Sequence, residues 1–165
     1  MMAEFNQLPG EAAVQALLRC CSSPPWAGAV AAGRPYASLA GLLRQSDAAT
    51  DSMAAADLGD ALSGHPRIGE RSEVGPDQDR WSGQEQAGLD GAGQITRRAI
   101  AEGNAAYEER FGHIYLVCAT GRTAGELLEL LRARLGHDAE TEWQAVRSEL
   151  KKINRIRLEK LIGGT

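Results

Sequence analysis

The residues best equipped for chemistry in this chain are one histidine and a short polar cluster. His65 stands between a glycine and Pro66, and further along Ser82, Glu85 and Gln86 supply a hydroxyl, a carboxylate and an amide. An imidazole exchanges protons near neutral pH, and a neighbouring carboxylate can orient or polarise it. These residue types predict proton transfer by His65 and Glu85.

Both features also have structural interpretations. A lone histidine is more often part of the packing than a catalyst, but a loop position between glycine and proline favours a functional role, because loops on rigid scaffolds carry sites. The spacing from Ser82 to Glu85 is that of a capping box, in which the serine and the glutamate satisfy backbone N–H groups at a helix start. The spacing alone favours the capping box, although the same residues can also serve a site.

Other types of catalytic centre find little support. The histidines at 65, 113 and 137 are scattered, and no His/Cys cluster has the spacing of metal ligands. The chain has no phosphate-binding loop, no dinucleotide fingerprint and no Gly-x-Ser-x-Gly elbow, and a serine or cysteine nucleophile is unsupported. We therefore expect acid–base chemistry with no metal and no organic cofactor.

The composition limits the classes of protein to which this chain can belong. The 165 residues fit one domain, and their 43% hydrophobic content supports a core. A net charge of -4 argues against nucleic-acid binding. No apolar run is long enough to span a membrane, there is no signal sequence, and three cysteines show no disulfide spacing. We expect a cytoplasmic protein that binds neither nucleic acid nor membrane.

Helical periodicity dominates the chain and predicts an all-α fold, a single-domain helical bundle over 1–165. Gly64 is expected to cap the helix before His65, and Gly75-Pro76-Asp77 to form a turn or mobile loop. One short extended segment is expected near 113–119, where a β-like apolar run would leave backbone groups free to read an amide-bearing ligand. The predicted helices cover 11–20, 26–32, 37–44, 53–62, 82–106, 123–135 and 141–162.

One arginine interrupts the apolar face of the last predicted helix. At about 100° per residue, Arg157 lies in the middle of that face and Arg155 points nearly the opposite way. The rest of the face consists of Trp143, Val146, Leu150, Ile153 and Leu161. A buried arginine needs a partner, so Arg157 forms a structural salt bridge, extends from the helix end to solvent, or reaches an anionic ligand.

Short motifs follow one another in a specific order along most of the chain. They are Phe5-Asn6, Ser23-Pro-Pro-Trp26, Arg34-Pro35, His65-Pro66-x-Ile-Gly69, Ser82-x-x-Glu85-Gln86, Asn104-x-x-Tyr107-x-x-Arg-Phe-Gly112, Val117-Cys-Ala119, Gly121-Arg122 and the final Glu149 to Leu158. The ordered set resembles the 2-oxo-4-hydroxy-4-carboxy-5-ureidoimidazoline (OHCU) decarboxylases, which perform the last step in the conversion of urate to (S)-allantoin. Gly103 departs from the usual leucine of the family, and the pattern after Phe111-Gly112 is less aromatic than usual.

The resemblance implies an all-helical homodimer that decarboxylates a small ureide without metal or organic cofactor. It makes His65 the catalytic residue and Glu85 a substrate contact, which we expect to assist in catalysis, and Arg157 fits the late Arg-Leu pair of the family. Residues 115–119 would form a wall whose backbone binds the ureide. The implied substrate contacts are Pro66, Ser82, Gln86, Tyr115, Leu116, Val117, Cys118, Ala119 and Arg157.

Two other functions use the same residues differently. A cyclic-ureide hydrolase or isomerase could employ the same His/Glu pair, and product analysis separates it, since only the decarboxylase releases CO2. A non-catalytic helical interaction module would instead show an apolar surface patch, with His65 and Arg157 far apart.

Overall fold

The computed structural model describes the backbone of residues 1–70 and 76–163, and the side chains of 1–70 and 81–163. Within these ranges the chain forms nine α-helices, one short 3-10 helix and no β-strand, which confirms the all-α prediction. The α-helices are α1 (Met2–Gln7), α2 (Gly10–Leu18), α3 (Pro24–Ala32), α4 (Leu39–Asp51), α5 (Ala55–Ser63), α6 (Pro76–Glu85), α7 (Gln94–Phe111), α8 (Ala124–Arg134) and α9 (Ala139–Gly163). None of the described helices is long and apolar enough to cross a membrane.

Contacts along the chain divide it into two compact units. One comprises Met1–Gly64 together with the chain from Leu150 onward, and the other comprises His65–Glu149. Every predicted site residue except Arg157 belongs to the second unit. The single-domain organisation expected over 1–165 stays a prediction.

In the first unit, polar caps set where the helices begin. Ser23 accepts a hydrogen bond from the backbone N–H of Trp26, and Ser38 caps α4 in the same way. The buried Trp26 ring donates its indole N–H to the Ser46 carbonyl at 3.2 Å. Helix α4 extends beyond the predicted 37–44, and the short helix α1 was not predicted.

In the second unit, an apolar cluster gathers residues of α7, α8 and the segment that joins them. Gly112, with a φ of +75°, ends α7. Residues 114–119 then lie in neither helix nor strand, which confirms the short non-helical segment. The buried members of the cluster are Ile68, Leu89, Ile100, Tyr107, Tyr115, Val117, Ala119, Ala124, Leu127 and Leu131.

The single helix predicted over 82–106 is wrong. Helix α6 ends at Glu85, a 3-10 helix covers Ala87–Leu89, and α7 begins at Gln94. Within the break the backbone of Gly88 lies so close to Arg122 that an added Cβ atom would be 1.9 Å from the Arg122 backbone oxygen.

The turn or mobile loop predicted at 75–77 is also wrong for the two of these residues that the structure describes. Pro76 and Asp77 open α6, at a position where proline costs no backbone hydrogen bond. Gly75 lies outside the described residues.

Candidate active site

His65 directly follows Gly64, which caps the carboxyl end of α5 as predicted. Its side chain is buried, and the next residue, Pro66, is half-buried. Two residues further on, Ile68 inserts into the apolar cluster of the second unit. His65 is therefore placed on a loop that is anchored to a core.

Hydrogen bonds fix the backbone that follows the His-Pro pair. The Gln86 side chain accepts from the Gly69 N–H at 2.8 Å and donates to the Arg67 carbonyl at 3.3 Å. Asn104 of α7 donates to the Ile68 carbonyl at 3.0 Å. Three consecutive residues of the loop are thus held by the chain after α6 and by α7.

The Arg67 side chain adds an ion pair to the same loop. Its Nε donates to Glu108 Oε1 at 2.5 Å and its Nη2 to Glu108 Oε2 at 2.8 Å. The guanidinium holds the pKa of the Glu108 carboxyl below its usual range. Because this pair is largely exposed, it adds orientation more than stability.

Ser82 and Glu85 lie in the last turn of α6, and both side chains are buried. The capping-box interpretation is therefore wrong, since that motif belongs to the start of a helix and here the Gln86 N–H bonds to the Ser82 carbonyl at a helix end. A buried carboxylate at the negative end of a helix dipole is electrostatically unfavourable. The role of Glu85 in catalysis stays a prediction.

Residues 115–119 are all buried, and only part of their backbone is engaged. The Leu116 carbonyl accepts from Arg134 Nη1 at 2.5 Å, and the Cys118 N–H donates to Glu149 Oε2 at 2.8 Å. Between them, the N–H and C=O of Val117 have no hydrogen-bond partner among the described residues. This segment, which we call the wall, therefore keeps one N–H donor and one C=O acceptor that no described residue engages.

The wall also carries a buried thiol, that of Cys118. Burial raises its pKa, and the negative charges of Glu149 and Glu85 act in the same direction, although a hydrogen bond from the Thr120 backbone opposes them. The thiol stays protonated at neutral pH, so Cys118 is unsuited to act as a nucleophile.

Gln86 has a structural role that sequence reasoning missed. Its amide binds the His-Pro loop through both of its ends, and its contact with substrate stays a prediction. With Ser82, it also lines a cleft of about 660 Å³. The described residues lining that cleft do not include His65 or Glu85.

Arg157 is buried, with 1% of its surface exposed, whereas Arg155 forms an exposed ion pair with Asp47. The helical phase predicted from the sequence is thereby confirmed. Arg157 Nη1 donates to the Cys20 carbonyl at 3.3 Å, within the first unit. Its proposed contact with an anionic ligand stays a prediction.

Several residues that shape the site carried little signal in the sequence. Asn104 and Tyr107 belong to one motif and, being three positions apart, lie on one helical face, but the motif alone indicates no role for either residue. The Arg134 contact with Leu116 joins positions that no spacing rule relates. No described group of three His, Cys, Asp or Glu side chains could hold a metal ion.

Known proteins resemble this chain over most of its length. The OHCU decarboxylase family model matches residues 6–159. The OHCU decarboxylase of Amia calva is 32% identical, over 98% of this chain and 94% of its own. The uric acid degradation bifunctional protein TTL of Arabidopsis thaliana is 29% identical over 86% of this chain, which spans 45% of that relative's length.

A solved structure agrees in fold. A crystal structure of OHCU decarboxylase in the presence of (S)-allantoin superposes with a TM-score of 0.77 and 25% identity, over 88% of this chain and 96% of the other. The family model covers nearly the whole chain, and the candidate residues lie within the range that it matches. The chain belongs to the OHCU decarboxylase family.

Proposed function

We propose that this chain converts OHCU to (S)-allantoin and CO2 in urate degradation, without metal or organic cofactor. The family match over residues 6–159 carries the proposal. The burial of His65 and Glu85 in one compact unit supports it, because a water-poor setting strengthens the interactions of charged groups with a ligand.

The substrate determines what the site must do. One ring carbon of OHCU carries a hydroxyl and a carboxylate, and the adjacent carbon is doubly bonded to nitrogen. When the carbon–carboxylate bond breaks, its electron pair forms a double bond between the two carbons and displaces the imine electrons onto nitrogen, which takes up one proton. The resulting enol becomes an amide carbonyl of the ring when its hydroxyl proton leaves and the neighbouring carbon is protonated from one face, which gives the S product.

His65 accepts or shares the hydroxyl proton as CO2 leaves, which is the acid–base role an imidazole fills near neutral pH. Glu85 orients the imidazole or accepts a ureido N–H. Pro66, Ser82 and Gln86 fix the ring, and the wall receives the ureide through its backbone.

Arg157 binds the substrate's anionic group in this proposal. A bidentate contact with the carboxylate would help binding. It would slow the reaction, however, if it stabilised the substrate more than the transition state. Arg157 therefore accelerates the reaction most if it also contacts an oxygen atom that gains negative charge in the transition state.

The decisive experiment generates OHCU freshly from urate, adds the protein and follows the circular dichroism of the product. We expect (S)-allantoin to form faster than in the spontaneous control, with release of CO2. Racemic allantoin at the uncatalysed rate would contradict the proposal. A chiral product formed without CO2 would instead support a cyclic-ureide hydrolase or isomerase.

The proposal includes a homodimer located in the cytoplasm that binds neither nucleic acid nor membrane. Cys20, Cys21 and Cys118 are buried and none of them forms a disulfide within the described residues, which is compatible with a reducing compartment. An unchanged rate of allantoin formation, together with specific capture of a protein partner, would favour the interaction module.

A further inference from the structure

Arg134, the last residue of α8, is buried and bonds in two directions. Its Nη1 donates to the Leu116 carbonyl at 2.5 Å, and its guanidinium carbon lies 4.8 Å from the centre of the Tyr115 ring. On its other edge, Nε donates to Glu142 Oε1 at 2.9 Å, and Nη2 donates to the same oxygen. One side chain therefore contacts both the backbone and a side chain of the wall.

Glu142 of α9 immobilises the far edge of that guanidinium. The carboxylate is fully buried, accepts a hydrogen bond from the Tyr107 hydroxyl, and pairs with His137 Nδ1 at 2.8 Å. Burial opposes its ionisation, but the hydrogen bonds from Arg134 and Tyr107 outweigh this and lower its pKa. Glu142 is thus charged at neutral pH, and Arg134 is held at both ends.

Stability alone gives a poor account of this arrangement. Taking two charges out of water costs about as much as their attraction returns, and apolar residues of the same volume often stabilise a core equally well. An arginine that is held at both ends does fix the orientation of a carbonyl group that it binds, because its N–H donors lie in one rigid plane. Here that carbonyl belongs to Leu116, directly before Val117.

A second contact fixes the chain on the other side of Val117, where Glu149 accepts from the Cys118 N–H. The two contacts hold the backbone before and after Val117 and leave its own N–H and C=O without a partner among the described residues. A ureide carries the complementary pair, an N–H and a C=O. The direction of the Val117 peptide groups therefore depends on the Arg134 contact.

We propose that Arg134 is a positioning residue for ligand binding, which sets the direction in which the wall presents its backbone to the ureide. The inference rests on the proposed function. It assigns Arg134 no contact with substrate and no proton transfer.

The test compares Arg134→Lys with Tyr107→Phe, using (S)-allantoin as a stable probe. Lysine keeps the charge but lacks the planar fork with which the guanidinium binds Glu142 and Leu116. Tyr107→Phe removes the hydroxyl that contacts Glu142 and Arg134 Nη2, and it leaves the contact of Arg134 with Leu116 in place. We expect Arg134→Lys to raise both the Kd for (S)-allantoin and the KM for OHCU about tenfold, the scale of one lost charged hydrogen bond. Its kcat should stay within about threefold, and Tyr107→Phe should change each quantity less than about twofold.

Equal effects of the two variants on Kd and KM, or a loss confined to melting temperature, would overturn the inference. If Arg134→Lys does not fold, the double variant Arg134→Gln/Glu142→Gln replaces it, because removing both charges leaves no uncompensated buried ion. Wild-type protein with neither OHCU activity nor (S)-allantoin binding would overturn the proposed function. An active wild type beside an Arg134 variant with unchanged Kd and KM would overturn the inference alone.

Discussion

The three histidines of the chain differ in what surrounds them. His113 stacks on Trp143 with ring centres 4.3 Å apart, and His137 pairs with Glu142. His65 instead lies on the loop whose next residues are tied to Gln86, Asn104 and Glu108. Backbone that is fixed in this way can hold an imidazole in one orientation, which proton transfer to a bound substrate requires.

Replacing His65 by asparagine tests its catalytic role. Asparagine keeps a polar side chain but cannot exchange protons near neutral pH, so we expect turnover to fall about 100-fold or more. The Kd for (S)-allantoin should stay within about twofold, since binding depends on the wall and the polar cluster. Initial rates by circular dichroism and Kd by calorimetry measure the two effects, and near-normal turnover would exclude His65 as the catalyst.

The burial or exposure of a single residue could be predicted from the sequence where one structural rule determines it. The burial of Arg157 follows from helical phase alone, and so does the exposure of Arg155. The position of Ser82 and Glu85 in the last turn of α6 could not be predicted in this way, because a spacing of three residues occurs in every turn of a helix. At 123–126 the same spacing forms a true capping box, with the Thr123 N–H donating to Glu126 at 2.7 Å.

Between α6 and α7, packing outweighs helical periodicity. The residues from 82 to 106 carry a helical pattern, yet the chain turns at 87–93, where Arg97 donates to the carbonyls of Leu89 and Ala92. The close approach of Gly88 to the Arg122 carbonyl joins residues far apart in sequence. Helix content was therefore predictable, but the point of interruption was not.

The substitution Gly88→Ala tests this contact. Its Cβ would meet the Arg122 oxygen at 1.9 Å, so backbone must move, and we expect a loss of about 1–3 kcal/mol in the free energy of unfolding. Gly91→Ala is the matched control, because no atom lies within 4 Å of its added Cβ and its effect should be within about 0.5 kcal/mol. Urea denaturation measures the free energy of unfolding of both variants. Equal losses would show that the close approach of Gly88 to Arg122 does not determine the turn.

The thiol and phenol groups that the molecule buries make its stability depend on pH in alkaline solution. Burial raises the pKa of Cys21 from 9.0 to about 11, against the opposing effects of Ser23, Asn154 and Arg157. Burial also raises the pKa of Tyr36 from 10.0 to about 12, as it does that of Tyr115. The folded chain therefore holds these protons more tightly than the unfolded chain, and its stability must fall in alkaline solution.

The substitution Cys21→Ala isolates one of these groups. Because the folded pKa lies above the unfolded value, its contribution is complete below about pH 9 and is lost as the pH rises towards 11. From pH 8 to about pH 10.5, we expect the wild-type free energy of unfolding to fall by about 2 kcal/mol more than that of the variant. Removing the sulfur atom from the core lowers the stability of the variant equally at both pH values, and the tyrosines titrate alike in both proteins. Urea denaturation at the two pH values measures the difference, and parallel pH dependences would mean that Cys21 ionises as readily in the folded chain as in the unfolded one.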